Sequence, residues 1–461
     1  MKLSELQSKR VGIIGFGQEG QSIATFLLHA GITPAVFDAK PLEQQSSRSY
    51  IQEQNLQYNS NPDYLAEAIH TCDVIFKSPG VKLPTELITY AHTNEKIITS
   101  QTEWFFQHCP APIIGITGTK GKGTTSSLIY EIFSAAHVTD SVYLTGNIGK
   151  TQPLEFLENL STEDVVVYEL SSFQLEFLTQ SPHIGVCLMV TEDHLDYHAD
   201  LDEYVSAKAA ISKYQTKTDH LIYNIDYSAS RAIGQLGDGM KWHVTADPHS
   251  TIERGAKING ENILIFENGM QINTIDCSTR LLRGKHNLEN IAASCLAAHI
   301  AGISGDTIRA TVQSFKGLEH RLQFVIEHKG VAYYNDSIST IPDTTIAAVK
   351  SFTEPVILLL GGASKQLDYS HMIQFLEQAS NVKSVVCVGQ TGAELHQIFK
   401  QSSIASKVVG PFDDFQEAVQ HASLSAAAGD VVLLSPAATS FDMFANYTER
   451  GQKFIDIVTH L

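Results

Sequence analysis

The sequence predicts an α/β protein built as three successive domains, each a mostly parallel sheet covered by helices. Three observations point there. Short apolar runs of strand character alternate with helical patterns along the whole chain. Two of those runs open directly into glycine-rich turns, Gly15-Phe-Gly-Gln-Glu-Gly20 and Gly115-Ile-Thr-Gly-Thr-Lys-Gly-Lys-Gly-Thr-Thr125. The length of 461 residues also exceeds what one hydrophobic core serves.

The first block begins with the strand pattern Val11–Ile14, followed by Gly15 to Gly20 and an amphipathic helix over 21–30. The run Ala35-Val-Phe37 is the next strand and ends at Asp38. Glycines at these spacings with an acid about 20 residues on form a dinucleotide-type, Rossmann-like fingerprint. Two readings stand side by side: a nicotinamide dinucleotide site with Asp38 on a ribose, or a diphosphate site for another nucleotide. Further on, Val74-Ile-Phe76 runs into the tight turn Lys77-Ser-Pro-Gly80, at the strand end where ligands of such sheets sit.

The second block carries the longer glycine-rich loop. It follows the apolar run at 112–114 and opens a helix expected over 125–136. Strand, glycine turn and helix start let backbone N–H groups converge on phosphate, and Lys122 reaches the outer phosphates. One position departs from the usual pattern. Gly123 stands where a Ser or Thr hydroxyl meets Mg²⁺, and Thr124 is the nearest substitute. The run Asp164-Val-Val-Val-Tyr-Glu169 is a buried strand ending in a carboxylate, a usual place for a magnesium ligand. A further strand is expected at Leu188–Val190, leading to His194, Asp196 and His198; their spacing fits no common zinc pattern. A helix expected over 203–214 carries Lys208, by itself an ordinary solvated lysine. Asn287 and Asn290 fall on the first turn of another helix, where capping is the plain role of Asn287.

The third block follows Gly317. Strands are expected at Ala332–Tyr334, Val356–Leu360, Ser384–Val388 and Asp430–Leu434. Asp336 follows the first of these, and Lys365 follows the turn Gly361-Gly362. Arg321 is either a surface arginine or a cation that supports charge on a transferring phosphoryl group. A helix is expected from Ser440, which would cap it. The domains are expected at 1–100, 101–318 and 319–461.

Composition excludes several classes. Fifty acidic against 32 basic residues give a net charge of −18, which argues against a general nucleic-acid or anionic-membrane binder. Any phosphate must then be held by local dipoles, lysines and metal. Six scattered cysteines with no C-x-x-C pair suit reduced thiols of a cytoplasm. The segment Met1–Arg10 is polar and charged, so no signal peptide is expected, and no apolar run is long enough to span a bilayer.

Taken together and in order, these pieces resemble the Mur ligases of peptidoglycan synthesis over essentially the full length, and most of all the branch that adds D-glutamate. The resemblance rests on Gly115 to Thr125, Gly146-Asn-Ile-Gly149, Glu169-Leu-Ser-Ser-Phe-Gln-Leu175, Thr191-Glu-Asp-His194, Lys208, Gly284-Lys-His-Asn287, His320-Arg321, Asn335-Asp-Ser337, Gly361-Gly362 and the stretch 434–451. It implies a first domain that holds UDP rather than a nicotinamide cofactor, through Gly15, Phe16, Gly17, Asp38, Ser78, Pro79 and Gly80, with Asn147 and His194 toward the sugar nucleotide. It implies ATP in the central domain on Gly118, Thr119, Lys120, Gly121, Lys122, Gly123 and Thr124, with Asn287 and Asn290 on the adenine side. Arg321 and Asp336 would complete that site. Two Mg²⁺ ions would be held by Thr124, Glu169, His194 and a carbamylated Lys208. Thr340, Lys365, Ser440, Phe441 and Tyr447 would surround glutamate. Ile338 departs from the lysine many members carry there, so Lys365 would take more of the carboxylate recognition.

The implied reaction joins the carboxylate of UDP-N-acetylmuramoyl-L-alanine to the amine of glutamate. ATP first converts that carboxylate to an acyl phosphate, with Lys122 and Mg²⁺ neutralising charge. Lys122, Glu169, His194, Lys208, Arg321 and Asp336 are the expected catalytic set. Four other readings are weighed: a ligase of the same type using L-glutamate or another amino acid, a folate-polyglutamylating ligase, a non-catalytic nucleotide sensor, and a nicotinamide-dependent dehydrogenase. The first block argues against the folate ligase and the intact lysines and acids against the sensor. The dehydrogenase leaves the second and third blocks unexplained. No nucleic-acid or membrane partner is expected, and a monomer is.

Overall fold

A computed structural model describes residues 1–149, 151–193, 197–364 and 367–461. His194, Asp196 and Lys365 lie outside the described residues. Three sheets carry the fold. The first holds β1 (Val11–Ile14), β2 (Ala35–Phe37), β3 (Tyr58–Asn59), β4 (Val74–Lys77) and β5 (Ile97–Thr99), in the order β3-β2-β1-β4-β5 and parallel throughout. Strand order reverses between β1 and β4, the switch point at which such sheets open a crevice. The turn after β1 and the turn after β4 therefore meet there, and Ser78 Oγ donates to Gly15 O at 2.9 Å.

The second sheet holds β6 (Ile113–Thr117), β7 (Val142–Gly146), β8 (Val165–Glu169), β9 (Ile184–Cys187), β10 (His220–Asn224), β11 (Met240–Thr245), β12 (Gly255–Asn259), β13 (Asn262–Glu267) and β14 (Met270–Asp276). Its order is β14-β13-β12-β11-β10-β9-β6-β8-β7. The strands from β6 to β12 are parallel, and β12 turns back antiparallel into β13. β6 and β8 are buried at every position, as a sheet covered on both faces requires. The third sheet holds β15 (Gln323–His328), β16 (Val331–Asn335), β17 (Val356–Gly361), β18 (Val382–Val388), β19 (Val408–Phe412) and β20 (Val431–Leu434), ordered β15-β16-β20-β17-β18-β19. β15 and β16 form an antiparallel hairpin; the others run parallel.

By contact density the chain forms two compact units. One is Met1–Ile275 with Glu289–Ile308; the other is Asp276–Leu288 with Arg309–Leu461. Within the first unit, the helix Gln101–His108 joins the first two sheets into one core. Ser100 caps it, accepting from Glu103 N at 3.0 Å. Trp104 packs its ring 5.6 Å from Phe76 and 6.5 Å from Phe26, while Phe105 lies 5.7 Å from both Phe156 and Tyr168.

Several expected bounds are corrected. The helix after the first glycine turn is Gln18–His29, starting three residues early because Gly17 already serves as its cap. The helix after the second starts at Lys122, directly behind the left-handed Gly121. The strand expected at Leu188–Val190 is instead β9, which pairs with Ile114–Thr117; the 188–190 run continues past its end as the wall of the second glycine-rich loop. The helix bearing Lys208 ends there, in Leu201–Lys208, followed by a single 3-10 turn. Asn287 lies inside the helix His286–Ile300 and does not cap it. Ser440 caps no helix; the last helix is Tyr447–Thr459, capped by Asn446.

Close backbone approach fixes the first turn. Gly15 has φ +85°, and a Cβ on Gly20 would meet Gly15 O at 2.3 Å. Neither atom has room to retreat, so Gly20→Ala costs about 1–3 kcal/mol or more. Thermal unfolding of Gly20→Ala checks this; a melting temperature equal to that of the parent chain would refute the packing argument.

Candidate active site at the strand ends

β6 ends at Thr117, and the chain then folds back through Gly118 (φ +149°) and Gly121 (φ +89°) into the helix Lys122–Ala136. The loop is tightly enclosed. A Cβ on Gly118 would meet Leu188 Cβ at 2.8 Å, and one on Gly121 would meet Asn290 Oδ1 at 2.2 Å. Thr119 ties the loop to the next strand end, with its N donating to Met189 O at 2.7 Å and its Oγ1 to Thr191 O at 2.9 Å. Lys122 Nζ folds onto the loop, donating to Gly118 O at 2.9 Å and Thr119 O at 3.2 Å. Lys120 stays mostly exposed and pairs with Asp193 at 3.8 Å. Gly123 and Thr124 occupy the first turn of the helix, with Thr124 buried.

Lys208 reaches the same loop from the other side. It is 1% exposed, donates to Thr117 Oγ1 at 3.3 Å and Gly118 O at 3.4 Å, and lies 4.5 Å above the Tyr204 ring. Burial, and then the neighbouring Lys122 charge, lower its pKa to about 7. Glu169, buried at the end of β8, stands in register between Ile116 of β6 and Gly146 of β7. The strand ends thus bring Gly118 to Lys122, Thr124, Glu169, Lys208 and Asn290 together.

The first sheet builds a second turn. Asp38 accepts from Phe16 N at 2.7 Å and from Lys40 N at 2.8 Å, so both its oxygens shape backbone. Ser78, Pro79 and Gly80 form the facing turn, held by the buried Lys77, whose Nζ donates to the carbonyls of Ser78, Pro79 and Val81 at 2.8–3.3 Å. Between the helix Gln18–His29 and the second sheet lies a cavity of about 120 Å³, lined among others by Gln18, Glu19, Gln101, Asn147, Gln152 and Gln174. Of these, sequence reasoning singled out Asn147 alone.

The second unit positions its own set. Asp336 is buried after β16; its Oδ1 accepts from Leu322 N at 3.1 Å and Oδ2 from Ser435 Oγ at 2.8 Å. Burial lifts its carboxyl to about 6. Arg321 is exposed, flanked by His320 (φ +62°) and Leu322 (φ +42°). Thr340 and Ile338 are half-buried, Ser440 is buried, and Phe441 and Tyr447 are exposed. Asn287 Nδ2 donates to Arg283 O at 2.5 Å. Sequence reasoning missed the group that orders this corner. Arg450 is 2% exposed and donates to Ser337 Oγ at 3.0 Å, Ser337 O at 2.8 Å and Thr439 O at 3.2 Å. Its only signal was a charged residue on an apolar helix face, four residues before Phe454.

Comparison with known proteins follows the same division. Residues 9–100 match the family model described as Mur ligase MurD-like, N-terminal domain; residues 116–298 the Mur ligase middle domain; residues 320–438 the Mur ligase, glutamate ligase domain. The UDP-N-acetylmuramoylalanine–D-glutamate ligase of Acetivibrio thermocellus is 34% identical over 464 residues, covering 99% of this chain and 97% of that protein. The chain belongs to the Mur ligase family. The ligase of the same name from Desulfitobacterium hafniense is 36% identical to this Mur ligase over 457 residues, 98% of each. Solved structures share the three-domain fold at low identity. They include the UDP-N-acetylmuramate–alanine ligase of Thermotoga maritima, with a TM-score of 0.58 and 15% identity over 98% of this chain and 99% of that one. A UDP-N-acetylmuramoyl-L-alanyl-D-glutamate–2,6-diaminopimelate ligase aligns with a TM-score of 0.56 and 16% identity, over 98% and 93%. This Mur ligase is therefore an enzyme, and no helix among its described residues is long and apolar enough to cross a membrane.

The Arg450 network sets a prediction. Removing the guanidinium takes the donor from the buried Ser337 carbonyl, a loss worth about 1–3 kcal/mol, and one of two donors from Thr439 O, which keeps Ala363 N at 2.8 Å. Arg450→Leu is expected to lose about 2–5 kcal/mol in urea unfolding, and Arg450→Lys, lacking the planar fork, recovers little of it. An Arg450→Lys midpoint equal to the parent value would show that the fork geometry is not needed.

Proposed function

We propose that this Mur ligase adds D-glutamate to UDP-N-acetylmuramoyl-L-alanine, with ATP converting the alanyl carboxylate to an acyl phosphate that the glutamate amine displaces. It would act in the cytoplasm, as a monomer, without nucleic-acid or membrane partners. The domains are read as 1–100 for the sugar nucleotide, 101–318 for ATP and 319–461 for glutamate. The observation that carries the reading is the meeting of the glycine loop, Lys122, Glu169 and Lys208 at adjacent parallel strand ends. It is supported by full-length likeness to ligases bearing that name.

Each residue has work to do. The backbone at Gly118 to Gly123 and the helix start behind it offer N–H groups to phosphate. Lys122, now folded onto the loop carbonyls, swings to the outer phosphates and neutralises their charge. Glu169 and Thr124 supply hard oxygen ligands, which suit Mg²⁺, and His194 is assigned to the same pair of ions. When bound, Mg²⁺ supplies charge neutralisation on the transferring phosphoryl group. Lys208 is suited to carbamylation. Its amine is largely neutral above pH 7, and a neutral amine attacks CO₂, forming an N–C bond and releasing a proton to water. The new carboxylate adds a third oxygen ligand beside the loop.

Asp38, Gly15 to Gly17 and the turn Ser78 to Gly80 are assigned to UDP, and Asn147 to the sugar. Asn287 and Asn290 are assigned to the adenine side, and Arg321 with Asp336 to the ATP phosphates. Thr340, Lys365, Ser440, Phe441 and Tyr447 are assigned to glutamate. Ile338 removes a cation from that pocket, which keeps L-glutamate or another amino acid as the second reading.

Phosphate release with ATP, Mg²⁺ and UDP-N-acetylmuramoyl-L-alanine is expected with D-glutamate and not without an amino acid. Release with L-glutamate alone favours the second reading; no release with either enantiomer defeats the D-glutamate reading. Lys208→Ala is expected to lose at least about 100-fold in kcat, and to regain part of it in added short-chain carboxylic acid. Parent-like turnover of Lys208→Ala without such acid would remove the carbamate.

A further inference from the structure

The cavity beside the helix Gln18–His29 holds two polar groups without a partner. Gln101 is 1% exposed, yet its Nε2 makes no hydrogen bond. Glu19 has Oε1 held by Gln174 Nε2 at 3.0 Å, while its Oε2 is buried and unpartnered. Gln174 has no freedom to turn its amide round. Its Oε1 accepts from Ser171 N and Oγ, both at 3.0 Å, so Nε2 must face Glu19. The remaining glutamate oxygen is thus fixed, buried and idle, in a cavity it lines together with Gln101.

The helix start decides what such a pair suits. Glu19 is the second residue of the helix, whose free N–H groups and dipole attract negative charge. An ionised Glu19 would repel a ligand oxyanion placed there. A neutral Glu19 carries an O–H and becomes a second donor beside Gln101 Nε2. Burial favours that neutral form: it lifts the carboxyl to about 7, against the opposing hydrogen bond from Gln174 and the charge of Lys77. Three other titratable groups bear on this position. Lys77, on β4, is lowered to about 8 by burial, does not line the cavity and is committed to three carbonyls. The charge of Glu176 acts on Lys77 and opposes that lowering. Tyr168, on β8, is pushed far above its ordinary value by burial and stays neutral. Among the described lining residues there is no lysine or arginine, so an anion here would rest on neutral donors and the helix start.

We propose that this cavity receives an oxyanion of the sugar-nucleotide acceptor, with the Glu19 carboxyl as a neutral hydrogen-bond donor beside Gln101, so that acceptor binding takes up a proton. The proposal rests on the acceptor named above and adds a specificity residue and a pH dependence to it. The oxyanion comes from the diphosphate or from the alanyl carboxylate, and the test separates these.

Titration calorimetry in two buffers of different ionisation enthalpy, at pH 7.5, measures the proton uptake. UDP-N-acetylglucosamine carries the diphosphate without the carboxylate; UDP-N-acetylmuramoyl-L-alanine carries both. The parent enzyme is expected to take up a large fraction of one proton on binding the second ligand, and Glu19→Gln none. Parent affinity falls about tenfold per pH unit above 7, while that of Glu19→Gln stays flat. Uptake with both ligands assigns the diphosphate, and uptake with the second alone assigns the carboxylate; either supports the proposal. Gln101→Leu keeps the uptake and weakens binding, which gives a second readout should Glu19→Gln fail to fold. Binding by the parent without uptake, or equal uptake in Glu19→Gln, overturns the proposal and leaves the ligase reading standing. A parent enzyme that binds neither ligand overturns both.

Discussion

The site depends on backbone passing too close to its neighbours for any side chain. Gly15 against Gly20, Gly118 against Leu188, and Gly121 against Asn290 all leave less than a methyl group's room. Each pinch lies where a parallel strand ends and a helix begins, and each includes a glycine at a φ angle that L side chains rarely adopt. The tight turn forces the first free N–H groups of the helix toward the strand end. Everything else in the site is arranged around those turns. Lys122 and Lys208 share the carbonyl of Gly118, and Ser78 and Asp38 brace the loop after β1.

A second theme is the removal of ionisable groups from water. Lys77, Lys208, Arg450, Glu19 and Asp336 are all displaced toward neutrality, and burial is the largest cause for each. The protein meets that cost differently from place to place. Lys77 and Arg450 are surrounded by carbonyl acceptors, which makes them braces for turns. Lys208 has two long hydrogen bonds and a ring beneath it, a poorer solvation shell. That shell leaves its amine reactive near neutrality, where a fully solvated lysine is not. Glu19 has one firm partner and one idle oxygen. The contrast separates groups that hold the fold from groups positioned to meet a ligand.

Much of this was legible in the residues. The strands announced themselves because parallel strands covered on both faces are continuous apolar runs, as at Val165–Glu169 and Val356–Gly361. The glycine turns were legible because the spacing of glycines is itself the backbone constraint. The helix at Ser440 and the strand at Leu188 were misplaced for tertiary reasons. Asn446 outcompetes Ser440 as a cap because its side chain reaches Glu449 N, and Leu188 falls beyond the pairing register that β6 dictates. Arg450, Lys77, Gln101 and Glu19 were not legible as buried groups. A charged or amide side chain looks the same in a sequence whether it faces water or a carbonyl, and only long-range packing decides. Glu19 stands inside the first glycine motif, yet the motif constrains the glycines and says nothing about the residue between them.

The path of the chain between its two units has a consequence for how the third sheet could travel as a module. The segment Asp276–Leu288 packs with that sheet although its neighbours on both sides in sequence belong to the other unit. Arg283 from this segment donates through Nε to Tyr334 Oη at 2.9 Å and pairs with Glu354 at 2.9 Å. A gene severed at the 308/309 junction would encode the sheet without that strap, stripping a cation from beneath two aromatic rings and a carboxylate. Recombination or dissection of this lobe therefore has to carry two separate stretches of coding sequence, a covalent entanglement that ties its inheritance to that of the other unit.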